Sequence, residues 1–177
     1  ADAPNYFLIN IDPPAWPAMG EFIRQETGVH PSSLPFIRGR LTAINGTAAA
    51  QLRISDAQGA GFLRREQNIT WSGGLPAGNR IQGGRWWGAG YAGPPQISVE
   101  QGVAQSLGVK LGDTMGFNVG GEEFTATVTS IRVVEWDSFA PNFFLVLSPG
   151  LAAELPQTRI ASFYVAPEHW RMLNELV

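Results

Sequence analysis

An α+β fold is predicted: a split ferredoxin-like α/β lobe formed by the two chain ends, with a β-rich lobe inserted between them. Three observations predict it. Each end sets strand-like residues beside an amphipathic, helix-like stretch. The middle of the chain alternates apolar with small or polar residues and is punctuated by glycine turns. Composition agrees, because 44% hydrophobic residues with 21 Gly and 13 Pro favour strands and turns over long helices. One domain of 177 residues is expected, with one lobe at 1–46 plus 151–177 and the β-rich lobe at 47–150.

Asn5 to Ile11 is dense in strand formers and is ended by Asp12-Pro13-Pro14, since proline offers no N–H to a ladder. A helix is expected over Trp16 to Glu26, with Met19, Phe22 and Ile23 on one stripe and Gly28 as its stop. Pro35 to Ile44 returns as a strand and ends at the Asn45-Gly46 turn. In the middle, strands are expected near Arg65 to Trp71, Asn79 to Gly83, Asp113 to Val119, Glu123 to Glu135 and Asn142 to Leu147. Gly120-Gly121 reads as a two-residue hairpin turn. One helix interrupts these strands at Ser98 to Leu107, with Ser98 as N-cap and Gln101 at N3 in an approximate capping box. Ile160 to Val165 is a strand, and Pro167 opens a helix with Trp170, Leu173 and Val177 on one face. Three strands at the ends leave a ferredoxin-like sheet short of a fourth, which is expected just beyond Val177.

Charge and composition exclude several functions. The net charge is -3, Lys110 is the only lysine, and the arginines are dispersed except for Arg64-Arg65, so a phosphate-binding surface for nucleic acid is not expected. With no cysteine, disulfide scaffolds, cysteine nucleophiles and thiolate metal sites are excluded. The longest apolar runs, such as Phe143 to Leu147, fall far short of the roughly 18 residues of a membrane span. The chain starts at Ala1 with no basic and apolar leader, and it reads as a piece excised from a larger protein.

No catalytic constellation is evident. His30 lies in a Gly-Val-His-Pro-Ser-Ser loop beside Ser32 and Ser33, and His169 lies at the start of the last helix. Neither is paired with a Gly-x-Ser-x-Gly elbow, and both read as ordinary surface histidines. Of the carboxylates Asp12, Glu100, Asp113, Glu122, Glu123, Glu135 and Asp137, the last two flank Trp136 on one face and form the best pair for glycoside hydrolysis. No metal-binding pattern or dinucleotide loop occurs, and no catalytic, cofactor or metal residue is assigned. The most unusual loop is Gly83 to Tyr91, where Trp86, Trp87 and Tyr91 are candidate partner-contact residues. Against that stands core packing, in which a tryptophan plugs the interior while glycines let the backbone pass closely.

The run SVEQGVAQSLGVKLGDTMGFNVGGEEFTATVTSIRVVEWDSFAPNFF, together with PNYFLINI, GRLTAINGTAA and GNRIQGGRWW in the same order, resembles the extracytoplasmic domain of FtsX-type ABC transporter permeases. These are relatives of the MacB and lipoprotein-release permeases. Within them the chain is most similar to the predicted permease associated with a periplasmic lysophospholipase. The resemblance implies a non-catalytic periplasmic domain of an inner-membrane protein, held between membrane helices of the rest of the permease. It also implies a separate cytoplasmic ATPase subunit, a role in transport such as lipoprotein or lipid export, and a periplasmic lipid or lipoprotein partner. Two other readings remain: a secreted hydrolase or carbohydrate-binding domain using Glu135, Asp137 and the Trp86-Trp87 loop, and a free-standing periplasmic adaptor.

Overall fold

A computed structural model of the chain describes residues 4–136 and 141–176. In chain order the elements are β1 (Tyr6–Ile11), α1 (Trp16–Thr27), β2 (Ser32–Ile44), β3 (Thr47–Ala48), α2 (Ala57–Arg64), β4 (Gln67–Trp71) and β5 (Asn79–Gly84). There follow β6 (Gln96–Glu100), α3 (Gln101–Leu107), β7 (Thr114–Val119), β8 (Glu122–Val134), β9 (Leu145–Leu147), α4 (Leu151–Glu154), β10 (Thr158–Phe163) and α5 (Leu173–Leu176). The chain divides into two compact units, which part between Phe36 and Ile37 and again between Pro156 and Gln157, and Pro141 also belongs to the first. The expected lobe boundaries were at 46 and 151. The first unit is smaller than expected because the second half of β2 pairs with β4 and β7 rather than with the terminal strands.

The terminal unit is a three-stranded antiparallel sheet in the order β1, β10, β2. Its core gathers Ile23, Phe163, Val165 and Met172, with Tyr6, Leu8, Met19 and Phe22 packed against them. The α1 stripe supplies three of these, and the helix stops at Gly28, whose N–H bonds to the Arg24 carbonyl. After Pro167 the chain forms a 3-10 turn to Met172 rather than a continuous α-helix. This tighter winding leaves Trp170 54% exposed and buries Met172. The expected face of Trp170, Leu173 and Val177 is therefore replaced by Met172 with Leu173, and Val177 lies outside the described residues.

In the second unit β2, β4, β9, β6, β8 and β7 pair in succession, and β7 returns to β2, closing a six-stranded ring. Closure leaves none of these six strands as a sheet edge. Ile37, Leu41, Ile69, Ile97, Val99, Met115, Phe117, Val128, Leu145 and Leu147 fill the inside. Two of the pairings, β4 with β9 and β6 with β8, are parallel and join residues far apart in the chain. The hairpin between β7 and β8 turns at Gly120-Gly121, with Gly120 at φ +58°. A side chain there would enter a strained backbone region and sit 3.3 Å from Pro156 Cγ.

Two expected features change. Ser98 is no helix cap: it lies in β6, fully buried, and its hydroxyl oxygen accepts from Ser130 Oγ at 2.7 Å and Arg132 Nε at 2.9 Å. Helix α3 begins at Gln101 instead, capped by the Glu100 carboxylate on Val103 N at 3.0 Å. A second helix in this unit, α2, was not expected, because two glycines in its Ala-Gln-Gly-Ala-Gly start disfavour a helix. It forms because Asp56 caps it, accepting from Gln58 N at 2.8 Å, and because Phe62 buries its face.

Arg132 is 0% exposed and has no carboxylate among its hydrogen-bond partners. Its guanidinium donates to Ser98 Oγ, to Asn79 Oδ1 and to the Phe143 and Phe144 carbonyls, joining β8 to β6, β5 and the approach to β9. Arg132→Met leaves several buried acceptors without a donor, each costing about 1–3 kcal/mol. The urea midpoint should therefore fall by the equivalent of about 3 kcal/mol or more, and an unchanged midpoint would refute the pinning role. Gly120→Val should lower the same midpoint by the equivalent of about 1–3 kcal/mol through backbone strain, whereas Gly74→Ala, in open space at an ordinary φ, should leave it nearly unchanged.

Candidate functional site

A pocket of the second unit lies against α2 and α3 and has a volume of about 330 Å3. Its apolar lining is Phe62 from α2, Val103 and Leu107 from α3, and Phe144 ahead of β9. Gln58, Arg65, Glu100 and Ser106 supply the polar lining. The two helices approach closely at Gly59: an added Cβ there would stand 2.5 Å from the Ser106 carbonyl oxygen. Only a residue without a side chain lets α2 and α3 sit this near each other.

Aromatic rings form one wall. Phe62 and Phe144 meet edge to face at 6.5 Å, and Trp136 tilts over Phe144 at 5.1 Å. Phe144 is 43% and Trp136 50% exposed, so apolar area reaches solvent at the rim. Arg132 fixes this wall from behind, since its Nη2 donates to the Phe143 and Phe144 carbonyls at 2.9 and 3.0 Å.

Part of the polar lining is committed inward. Glu100 caps α3, and the Ser106 hydroxyl donates to Asp56 Oδ2 at 2.8 Å. The Ser106 hydroxyl first, and then the Gln58 and Gly59 backbone N–H groups, hold the Asp56 carboxyl below its ordinary pKa against a smaller desolvation effect. Arg65 spends only its Nε, on the Gly61 carbonyl at 3.3 Å. No described carboxylate lies within 4.0 Å of it.

The residues singled out from sequence fall elsewhere. Trp87 is 5% exposed and its indole N–H donates to the Ser72 carbonyl, while Trp86 is half-buried and donates to the Gly73 carbonyl. Tyr91 is also half-buried, its hydroxyl donating to the Pro94 carbonyl. The loop's polar aromatic atoms thus bind its own neighbourhood, and among its three aromatics Trp87 is a core residue. Glu135 is exposed, and Asp137 lies outside the described residues. Glu122, Glu123 and Asp12 are exposed, and Asp113 accepts from Lys110 N in a turn. His30 is exposed and His169 half-buried. Ser33 Oγ meets Arg159 Nε and Ser32 Oγ meets Ser162 Oγ, so neither serine has a histidine partner. Among the described residues no group of three or more His, Asp or Glu could hold a metal ion.

Because the folded pKa of Asp56 is lowered, its contribution to stability is present above the unfolded value near 3.8 and is lost as pH falls through the lower folded value. Asp56→Ala should therefore melt below the parent chain at neutral pH, and the gap should narrow as the pH falls below the unfolded value near 3.8. A gap independent of pH would show that the carboxylate charge is not what the cap uses.

No family model matches the chain. A curated protein of Escherichia coli (strain K12), described as "Uncharacterized ABC transporter permease YbbP", is 37% identical over 165 residues. The aligned stretch is 92% of this chain and 19% of that protein. Nearly all of this chain is therefore similar to about a fifth of an ABC transporter permease.

Proposed function

We propose that the chain is a non-catalytic extracytoplasmic domain of an FtsX-type or MacB-type ABC transporter permease, located in the periplasm at an inner membrane. The observation that carries this reading is the 37% identity to an ABC transporter permease over 92% of the chain. The described residues contain no helix long and apolar enough to cross a membrane, which suits a part that lies outside the bilayer. In this reading ATP is hydrolysed by a separate cytoplasmic subunit, and the domain follows the permease helices as they rearrange. Its partners are then the rest of the permease and a lipid-linked or protein substrate.

The connectivity suits such coupling. The first and last elements, β1 and α5, belong to the same unit, and the chain enters the second unit at Phe36–Ile37 and leaves it at Pro156–Gln157. Displacement entering from either end is received by the terminal sheet first. That unit is read as a ferredoxin-like lobe, on the strength of its β1-β10-β2 order with a helix after β1 and helical turns after β10.

The absence of cysteine makes the location testable. Thr125→Cys, on the exposed side of β8, would be placed in the full-length permease with any other cysteines replaced. A membrane-impermeant maleimide should label it in intact spheroplasts, at a rate that changes when the ATPase is trapped with nucleotide. Labelling only after lysis would overturn the extracytoplasmic location, and a rate indifferent to nucleotide would overturn the coupling. Hydrolytic turnover of ester, peptide or glycoside substrates that is lost in Glu135→Gln would instead establish the enzyme reading.

A further inference from the structure

We infer that the pocket against α2 and α3 binds a free α-amino acid with a large apolar side chain. The inference does not depend on the place of the chain in a transporter. It rests on what lines the pocket and on which of those groups keep atoms without a described partner.

The apolar lining, Phe62, Val103, Leu107 and Phe144, surrounds a space of about 330 Å3, at the lower end of the range for small-ligand sites. That size suits one large side chain with its backbone atoms rather than a cofactor or an extended peptide. The polar lining carries two opposite charges, Arg65 and Glu100, that do not meet: no ion pair within 4.0 Å joins them. Arg65 keeps its terminal guanidinium nitrogens without a described partner. Glu100 uses Oε2 on Val103 N and has no described donor on its other oxygen. Gln58 adds an uncommitted side-chain amide.

A ligand that satisfies this lining carries a carboxylate for the Arg65 fork, an ammonium for the Glu100 carboxylate and an apolar group for the aromatic wall. A simple fatty or aromatic acid would answer Arg65 and meet repulsion from Glu100, and a simple amine would do the reverse. Only a zwitterion answers both. Arg132 acts as a positioning residue here, because its bonds to the Phe143 and Phe144 carbonyls set where the Phe144 ring stands.

The test is amide chemical-shift titration of the 177-residue chain with three probes: L-phenylalanine, 3-phenylpropionate, which lacks the ammonium, and 2-phenylethylamine, which lacks the carboxylate. L-Phenylalanine should shift the Phe62, Val103 and Leu107 amides and saturate at about millimolar concentration. Each analogue should bind about fivefold more weakly, as loss of one solvent-accessible charge pair allows. Arg65→Gln should reduce L-phenylalanine to the level of 2-phenylethylamine. Glu100→Gln, whose amide oxygen still caps α3, should reduce it to the level of 3-phenylpropionate, with unchanged Trp87 indole resonances reporting an intact fold. Equal binding of the three probes, tighter binding of either analogue, shifts confined to other regions, or no shifts at tens of millimolar would each overturn the inference.

Discussion

A single buried guanidinium organises the upper half of the larger unit. Arg132 stands on β8 where the inward stripe Ala126, Val128, Ser130, Arg132, Val134 changes from apolar to polar, and it is fully enclosed. Burial pushes its pKa down to about 10, against the pull of Glu100. Even so, the charge persists at neutral pH, and the structure must answer it with oxygen. Side chains of Ser98 and Asn79 and the carbonyls of Phe143 and Phe144 do so. Because these acceptors belong to different strands and to the approach to β9, satisfying one ion fixes the mutual register of several segments. The pocket inherits its aromatic wall from that arrangement.

Much of the architecture was legible where the signal is local. The α1 stripe of Met19, Phe22 and Ile23 with its Gly28 stop, the Gly120-Gly121 hairpin and the strand ends at Asn45-Gly46 all depend on neighbours in sequence. What escaped depends on partners distant in sequence. Closure of the ring needs β4 beside β9 and β6 beside β8, and parallel pairs leave no turn signature between the strands they join. Ser98 looked like a helix cap because a serine three residues before Gln101 usually serves as one. Its hydroxyl had a stronger claim from Ser130 and Arg132, which no local pattern announces.

The candidate site was less legible than the fold. Tryptophans drew attention to the loop at Trp86 and Trp87, yet both indole N–H groups are bound to the backbone at Gly73 and Ser72. In the second unit exposed aromatic area lies instead at Trp136 and Phe144, eight residues apart in sequence. Their meeting with Phe62 and Arg65 arises only after α2 has packed on α3. One signal was available: the glycine-rich start of α2 is costly for a helix unless something must come close to it. Gly59 against the Ser106 carbonyl is that something.

The tilted pair Trp86 and Trp87, with ring centroids 4.0 Å apart and planes at 33°, is near enough for the two indole transition dipoles to couple. Such coupling splits the ultraviolet bands and produces an exciton couplet in circular dichroism that vanishes when the rings part. One ring is anchored in the interior and the other reaches toward solvent, so the pair is a native optical gauge of whether the β5 loop remains seated. It requires no dye and no added residue, and it would report from the intact chain in any buffer transparent enough to observe it.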